Sequence, residues 1–220
     1  MSQLLEILRH FPEWLDKIIA QYGTLTYAIL FAIVFVETGV VIFPFLPGDS
    51  LLFAVGAVAA RPASPLNIAL LYPLFLVAAF LGDNCNYWLG KKFGRSLFNN
   101  PNSKLFKKEN LYKTEAFFAK YGPKAIILAR FVPIVRTFMP FVAGMGAMTY
   151  GRFLLFSVTG AVLWVGLCVT AGYFFGNISF VKKNFELVLI GIILISVLPM
   201  VFEFLQHRKQ AALAKAQERR

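Results

Sequence analysis

The chain predicts an all-α polytopic membrane protein: transmembrane helices plus two broken, re-entrant hairpins in an inverted, transporter-like repeat. Three observations carry this. The 220 residues are 58% hydrophobic with a mean hydropathy of +0.66, too apolar for an ordinary soluble domain. Charged residues make up 15% of the chain and gather between and after long apolar runs. Two of those runs, residues 37–60 and 124–150, each carry two prolines together with ionisable residues.

Residues 1–23 predict an amphipathic helix on the membrane surface. Leu4, Leu5, Leu8, Phe11, Leu15, Ile18 and Ile19 recur near helical spacing, and Pro12 interrupts or kinks it. Glu6, Glu13 and Asp16 are foreign to a cleavable signal peptide. Residues 24–205 form a single membrane domain. Its first apolar run, 24–36, is short for a crossing of ~20 residues and leads into Glu37.

The stretch 37–60 reads E-T-G-V-V-I-F-P-F-L-P-G-D-S-L-L-F-A-V-G-A-V-A-A. Pro44, Pro47 and Gly48 shape a hairpin, because proline removes a backbone donor and Pro-Gly marks a turn. Such a broken backbone survives at membrane depth only when protein shelters it. Glu37 and Asp49 are candidate proton-binding and coupling residues, since intramembrane acids are costly and buried carboxyls can take up protons. The bland alternative for Asp49 is a helix cap over residues 50–59.

Residues 67–90 predict the next crossing, ending in Gly82-Asp83-Asn84 and an interfacial Tyr87-Trp88. Asp83 is a secondary candidate, or else bonds only neighbouring backbone or Tyr87. The loop 91–123 is strongly basic. Lys91, Lys92, Arg95, Lys104, Lys107, Lys108, Lys113 and Lys120, with Lys124 beyond it, stand against Glu109 and Glu115. It belongs in the cytoplasm, with a short surface helix over 109–121.

The second hairpin, 124–150, holds A-R-F-V-P-I-V-R-T-F-M-P. Pro133, Pro140 and Gly144 shape it. Arg130 and Arg136 are candidate anion- or phosphate-binding residues, because a guanidinium fork matches a phosphate or carboxylate. Each costs ~2.5–3.5 kcal/mol at a helix centre and needs a partner. The expected partners are Glu37 and Asp49, either as a structural lock or as a site that also receives an anion. Gly144, Gly146 and Gly151 are packing or turn positions rather than ligands.

Residues 153–176 form an uncharged transmembrane helix, and 185–205 a last span with Glu186 and Glu203 near its ends. The basic tail 206–220 is cytoplasmic. Two crossings between the loop and the tail return the chain to the same side, so 124–150 must enter and leave on one face. Counting back places the N-terminus inside too. Lys182 and Lys183, in the outer loop, run against this and are outnumbered.

The net charge of +11 follows this topology, so no nucleic-acid partner is expected; anionic headgroups are a secondary one. Cys85 and Cys168 lack metal or disulfide spacing and are expected to be small buried core residues. No catalytic nucleophile with an adjacent base, no metal site and no cofactor is expected, so no enzyme.

At E-T-G-V-V-I-F-P-F-L-P-G-D-S-L-L-F, G-D-N-C-N-Y-W-L-G-K-K-F-G, F-N-N-P-N-S-K and A-R-F-V-P-I-V-R-T-F-M-P-F-V-A-G-M-G the chain resembles the DedA family of bacterial inner-membrane proteins, in the SNARE-associated, VTT-domain superfamily. The resemblance spans nearly the whole chain. It implies a transporter-like fold with two re-entrant hairpins and a link to membrane homeostasis, proton-motive force and envelope integrity. Some relatives look like lipid translocases, including for undecaprenyl phosphate, and eukaryotic ones like scramblases. The family's essential acids fall on Glu37 and Asp49 and its arginines on Arg130 and Arg136. Lys91 departs from a frequent arginine.

The expected function is a proton-linked transporter or flippase of an anionic lipid such as undecaprenyl phosphate or a phospholipid, in the inner membrane, with membrane lipids and protons as partners and homo-oligomers allowed. The alternatives are a passive scramblase or small-ion exchanger, and a non-transporting membrane scaffold.

Overall fold

The computed structural model describes residues 11–39, 48–62, 64–94 and 108–176, with 178, 181, 187, 188 and 191. Among them every regular element is helical. The first ten residues, Pro44 and Pro47 of the expected first hairpin, residues 95–107, nearly all of the expected 185–205 span and the tail lie outside the described residues.

Helix α1 spans Phe11–Tyr22. Its apolar face turns Leu15 and Ile19 into the core, against α2 (Leu25–Gly39) and α3 (Gly48–Ala59). Asp16 pairs with Arg61 at 2.9 Å, fixing α1 beside the loop after α3.

Helix α4 spans Ile68–Phe93, and Asn67 caps it by accepting from the Ala69 N–H. Helix α5 spans Lys108–Tyr121 and packs on α7 through the buried Leu111. A 3-10 turn at Gly122–Lys124 leads into α6, Ala125–Ala129. Helix α7 runs Pro133–Val142, followed by a π-segment at Ala143–Ala147 and α8 at Tyr150–Phe175. Helices α4 and α8 are each 26 residues long, enough to cross a hydrocarbon core of ~30 Å at 1.5 Å per residue.

Each long helix carries arms from both halves of the chain. Helix α4 packs on α2, which precedes it, and on α7 from the later half; α8 packs on α6 and on α3 from the earlier half. Two glycines permit the crossed contacts. A side chain at Gly172 would overlap the Phe53 carbonyl of α3, and one at Gly90 the Phe141 carbonyl of α7. Close backbone approach through small residues is how helices associate where apolar burial gives no advantage over lipid.

Some expectations are met and others corrected. Pro140 does not end a hairpin arm: α7 continues through it to Val142. The sharp turn comes later, at Gly146, with φ 113°, a conformation open to glycine. Gly144 serves packing, because a Cβ there would overlap the Tyr87 carbonyl of α4. Gly151 has open space around it and no positive φ, so it meets neither expectation. Cys85 is exposed and Cys168 half-buried. On α4 the buried positions Gly82, Asp83, Asn86, Tyr87 and Gly90 fall on one helical face, and Cys85 points away from it.

Candidate functional site

Four helix ends meet in the interior, and each presents one ionisable residue. Glu37 lies two residues before the end of α2. Asp49 is in the first turn of α3. Arg130 closes α6 as its C-cap. Val132 is extended (φ −122°, ψ 104°), and Pro133 then opens α7, where its missing N–H costs nothing. Arg136 follows one turn in, its N–H bonded to the Val132 carbonyl at 2.8 Å. Chain breaks therefore decide which side chains converge.

Arg136 bridges both expected acids. Its Nη2 donates to Glu37 Oε1, and its Nη1 to Asp49 Oδ1 at 3.0 Å. The Gly48 N–H at the start of α3 also donates to Glu37 Oε1, at 3.2 Å. Anions are favoured at a helix N-terminus, so Glu37 is held by a guanidinium and by the end of α3. Asp49 does not lie before its helix as a cap would. Its Oδ1 accepts from the Trp164 indole N–H on α8 at 2.6 Å.

Arg130 departs from expectation: its carboxylate partner is Asp83 on α4, not Glu37 or Asp49. Ser157 Oγ on α8 donates to the same Asp83 oxygen, and Arg130 Nη2 reaches the Ser157 carbonyl at 3.4 Å. The reason is positional. Arg130 ends α6, which packs on α8, and α8 also packs on α4, so Asp83 and Ser157 flank it. Arg130, Asp83 and Ser157 are all buried. Asp83 thus ranks with the principal residues.

Trp164 joins the two pairs. Its ring lies 5.0 Å from the Arg136 guanidinium carbon and 5.8 Å from that of Arg130. Both are within cation–π range, worth ~0.5–2 kcal/mol each. Asn86 on α4 completes the frame, donating to the Thr137 carbonyl at 2.7 Å and the Thr38 carbonyl at 3.4 Å.

A single ion pair at 4 Å yields about 4 kcal/mol at an effective dielectric of 20. Inserting an arginine and an acid at mid-membrane costs ~2.5–3.5 kcal/mol each. One pair alone falls short of the ~5–7 kcal/mol that inserting both residues costs, so the added N–H, O–H and ring contacts matter. Burial is graded: the side chain of Asp49 is 23% exposed, Arg136 13% and Glu37 2%. Asp49 is the open side. Three buried atoms, Glu37 Oε2, Asn86 Oδ1 and Arg130 Nε, have no hydrogen-bond partner among the described residues.

Sequence reasoning missed Trp164 and Ser157. Ser157, Gly160 and Trp164 stand at i, i+3 and i+7, one face of α8, and Gly160 leaves room for the Arg130 side chain. A tryptophan in mid-helix, away from the interfacial belts, was the available signal.

Comparison with known proteins places the chain in a family. The VTT domain family model matches residues 46–174. The chain is 52% identical to Protein DedA of Escherichia coli (strain K12) over 211 residues, 96% of each chain. It is 45% identical to an uncharacterized membrane protein of Mycobacterium tuberculosis over 178 residues, 81% of this chain and 78% of the relative. Inner membrane protein YqjA of Escherichia coli (strain K12) is 32% identical over 176 residues, 80% of this chain and 79% of that one. No solved structure matches the chain. With two helices long enough to cross a bilayer and a family match over more than half its length, the chain is a membrane protein of the DedA family, built on the VTT domain.

Proposed function

We propose that this protein is a proton-linked transporter that carries an anionic, phosphate-bearing lipid across the bacterial inner membrane. The supporting observation is Arg136, which holds two carboxylates at once where three helix ends meet. A phosphate monoester or diester offers the same paired oxygens to a guanidinium fork. A proton arriving at the open side, on Asp49, neutralises that acid and releases Nη1. Glu37, once neutral, holds Nη2 too weakly to keep it from an anion. The phosphate then replaces the carboxylates on Arg136, and the Trp164 ring keeps the guanidinium in place. Loss of the Asp49 proton on the far side restores that carboxylate and expels the phosphate. Bound anion and bound proton therefore favour one another, the reciprocity any coupled carrier requires.

The membrane arrangement follows the same reading. Arms α2–α3 and α6–α7 dip from opposite faces as re-entrant hairpins, and both termini are cytoplasmic. The crossed packing of α3 on α8 and α7 on α4 supports an inverted repeat, in which substrate sites lie near mid-membrane between broken helices.

The test is reconstitution in liposomes with labelled phospholipids and undecaprenyl phosphate, with and without a proton gradient. Translocation of an anionic lipid that Arg136→Ala abolishes is expected. Wild-type rates in Arg136→Ala and Arg130→Ala would remove the phosphate-binding role.

One observation favours a second reading, a structural lock in a scaffold. Each guanidinium already has a carboxylate partner. Buried ion pairs can often be replaced by apolar residues without loss of stability. Under that reading Arg130→Met/Asp83→Leu keeps function in cells; under the transporter reading it does not.

A further inference from the structure

We propose that the buried cluster holds one proton at rest, seated on Glu37 Oε2, because Asp83 gives it a third carboxylate against two guanidiniums. This rests on the transporter reading for its use, though not for its test.

The groups that face one another are Glu37 from α2, Asp49 from α3, Asp83 from α4, Arg130 and Arg136 from the ends of α6 and α7, and the Cys168 thiol from α8. Were all ionised, three acids and two bases would leave one uncompensated negative charge. The helix ends do not remove it. The partial positive charge at the start of α3 is opposed by the partial negative charge at the end of α2, where Glu37 sits. A buried group that lacks a counter-charge neutralises itself instead of remaining ionised. The cluster reaches neutrality by keeping one proton.

Hydrogen bonding selects the seat. Asp83 Oδ2 accepts from Arg130 and Ser157. Asp49 Oδ1 accepts from Arg136 and Trp164, and its side chain is the most exposed of the three acids. Glu37 receives both donors, Arg136 Nη2 and the Gly48 N–H, on Oε1. Its Oε2 is buried without a donor among the described residues. A proton there displaces nothing, and a bare neutral hydroxyl costs less than a bare charged oxygen. A monoanionic phosphodiester entering this neutral cluster requires one further proton, giving one proton per anion charge carried.

Infrared difference spectroscopy of the full-length protein in lipid nanodiscs reads the proton directly. Wild type at neutral pH should show a protonated-carboxyl C=O stretch that shifts in D2O. It should vanish in Glu37→Gln. It should also vanish in Asp83→Asn, where two acids balance two bases, and return in Asp83→Asn/Arg130→Met, where the imbalance is restored. No such band in wild type, or one that survives Glu37→Gln or Asp83→Asn, overturns the proposal. If the Asp83 variants do not fold, the wild-type and Glu37→Gln spectra decide it. No transported lipid enters the readout, so failed translocation and a failed proton count are separate results.

Discussion

The space a side chain at Gly48 would need is filled by the Glu37 carboxylate. The first turn of α3 and the acid that ends α2 are fitted to one another, and the Gly48 N–H bonds that acid at 3.2 Å. Gly48→Ala should therefore behave as a mutation of Glu37. The Cβ meets a carboxylate held in turn by Arg136, so the acid must leave its partner. The expected cost is ~1–3 kcal/mol of stability, read as a fall in melting temperature in detergent, with transport lost as in Glu37→Gln. A Gly48→Ala protein with wild-type transport would mean that the Glu37 seat is not needed.

Trp164 offers a graded test. Trp164→Phe keeps a ring face for both guanidiniums and loses the N–H to Asp49; Trp164→Leu loses both. Stability should fall in that order, with ~0.5–2 kcal/mol for each cation–π contact removed. Urea or thermal unfolding of both variants in the same detergent checks the ranking. Equal losses would show that the ring face contributes nothing.

Glycine positions separate packing from tolerance. Gly172→Ala and Gly90→Ala each drive a Cβ into a backbone carbonyl of the crossing helix, and overpacking of this kind costs ~1–3 kcal/mol. Gly166→Ala, on α8 with open space around it, should be neutral or stabilising by up to ~1 kcal/mol. Melting temperatures that do not separate the two classes would contradict the crossed packing.

The hairpin arrangement is open to labelling. In a Cys85→Ala/Cys168→Ala background, Pro62→Cys should react with an impermeant maleimide added outside the cell. Tyr112→Cys, at an exposed site on α5, should react only after the membrane is opened. Reaction of both from the same side would contradict the proposed crossing of α4.

Much of this was legible in the sequence, because apolar runs and their breaks are local. The positions of α4 and α8 follow from hydropathy to within three residues at each end, and Glu37, Asp49 and Arg136 stood out as charges in apolar runs. The pairing of Arg130 was not legible. Asp83 lies 47 residues away, and only the packing of α4, α6 and α8 brings the two together. Trp164 was hidden for a different reason: an aromatic in an apolar helix looks lipid-facing until its neighbours in space are known. Gly48 looked like part of a turn signal, while what demands a glycine there is a carboxylate from another helix.

The proposed coupling requires Arg136 to exchange its carboxylates for a phosphate when a proton arrives. The most direct measurement is uptake of a labelled anionic lipid by proteoliposomes under an imposed pH gradient, in wild type and Glu37→Gln. Accumulation in wild type that collapses with the gradient, and no accumulation in Glu37→Gln, is the expected result. Equilibration of the lipid at the same rate and to the same extent with and without the gradient would contradict it.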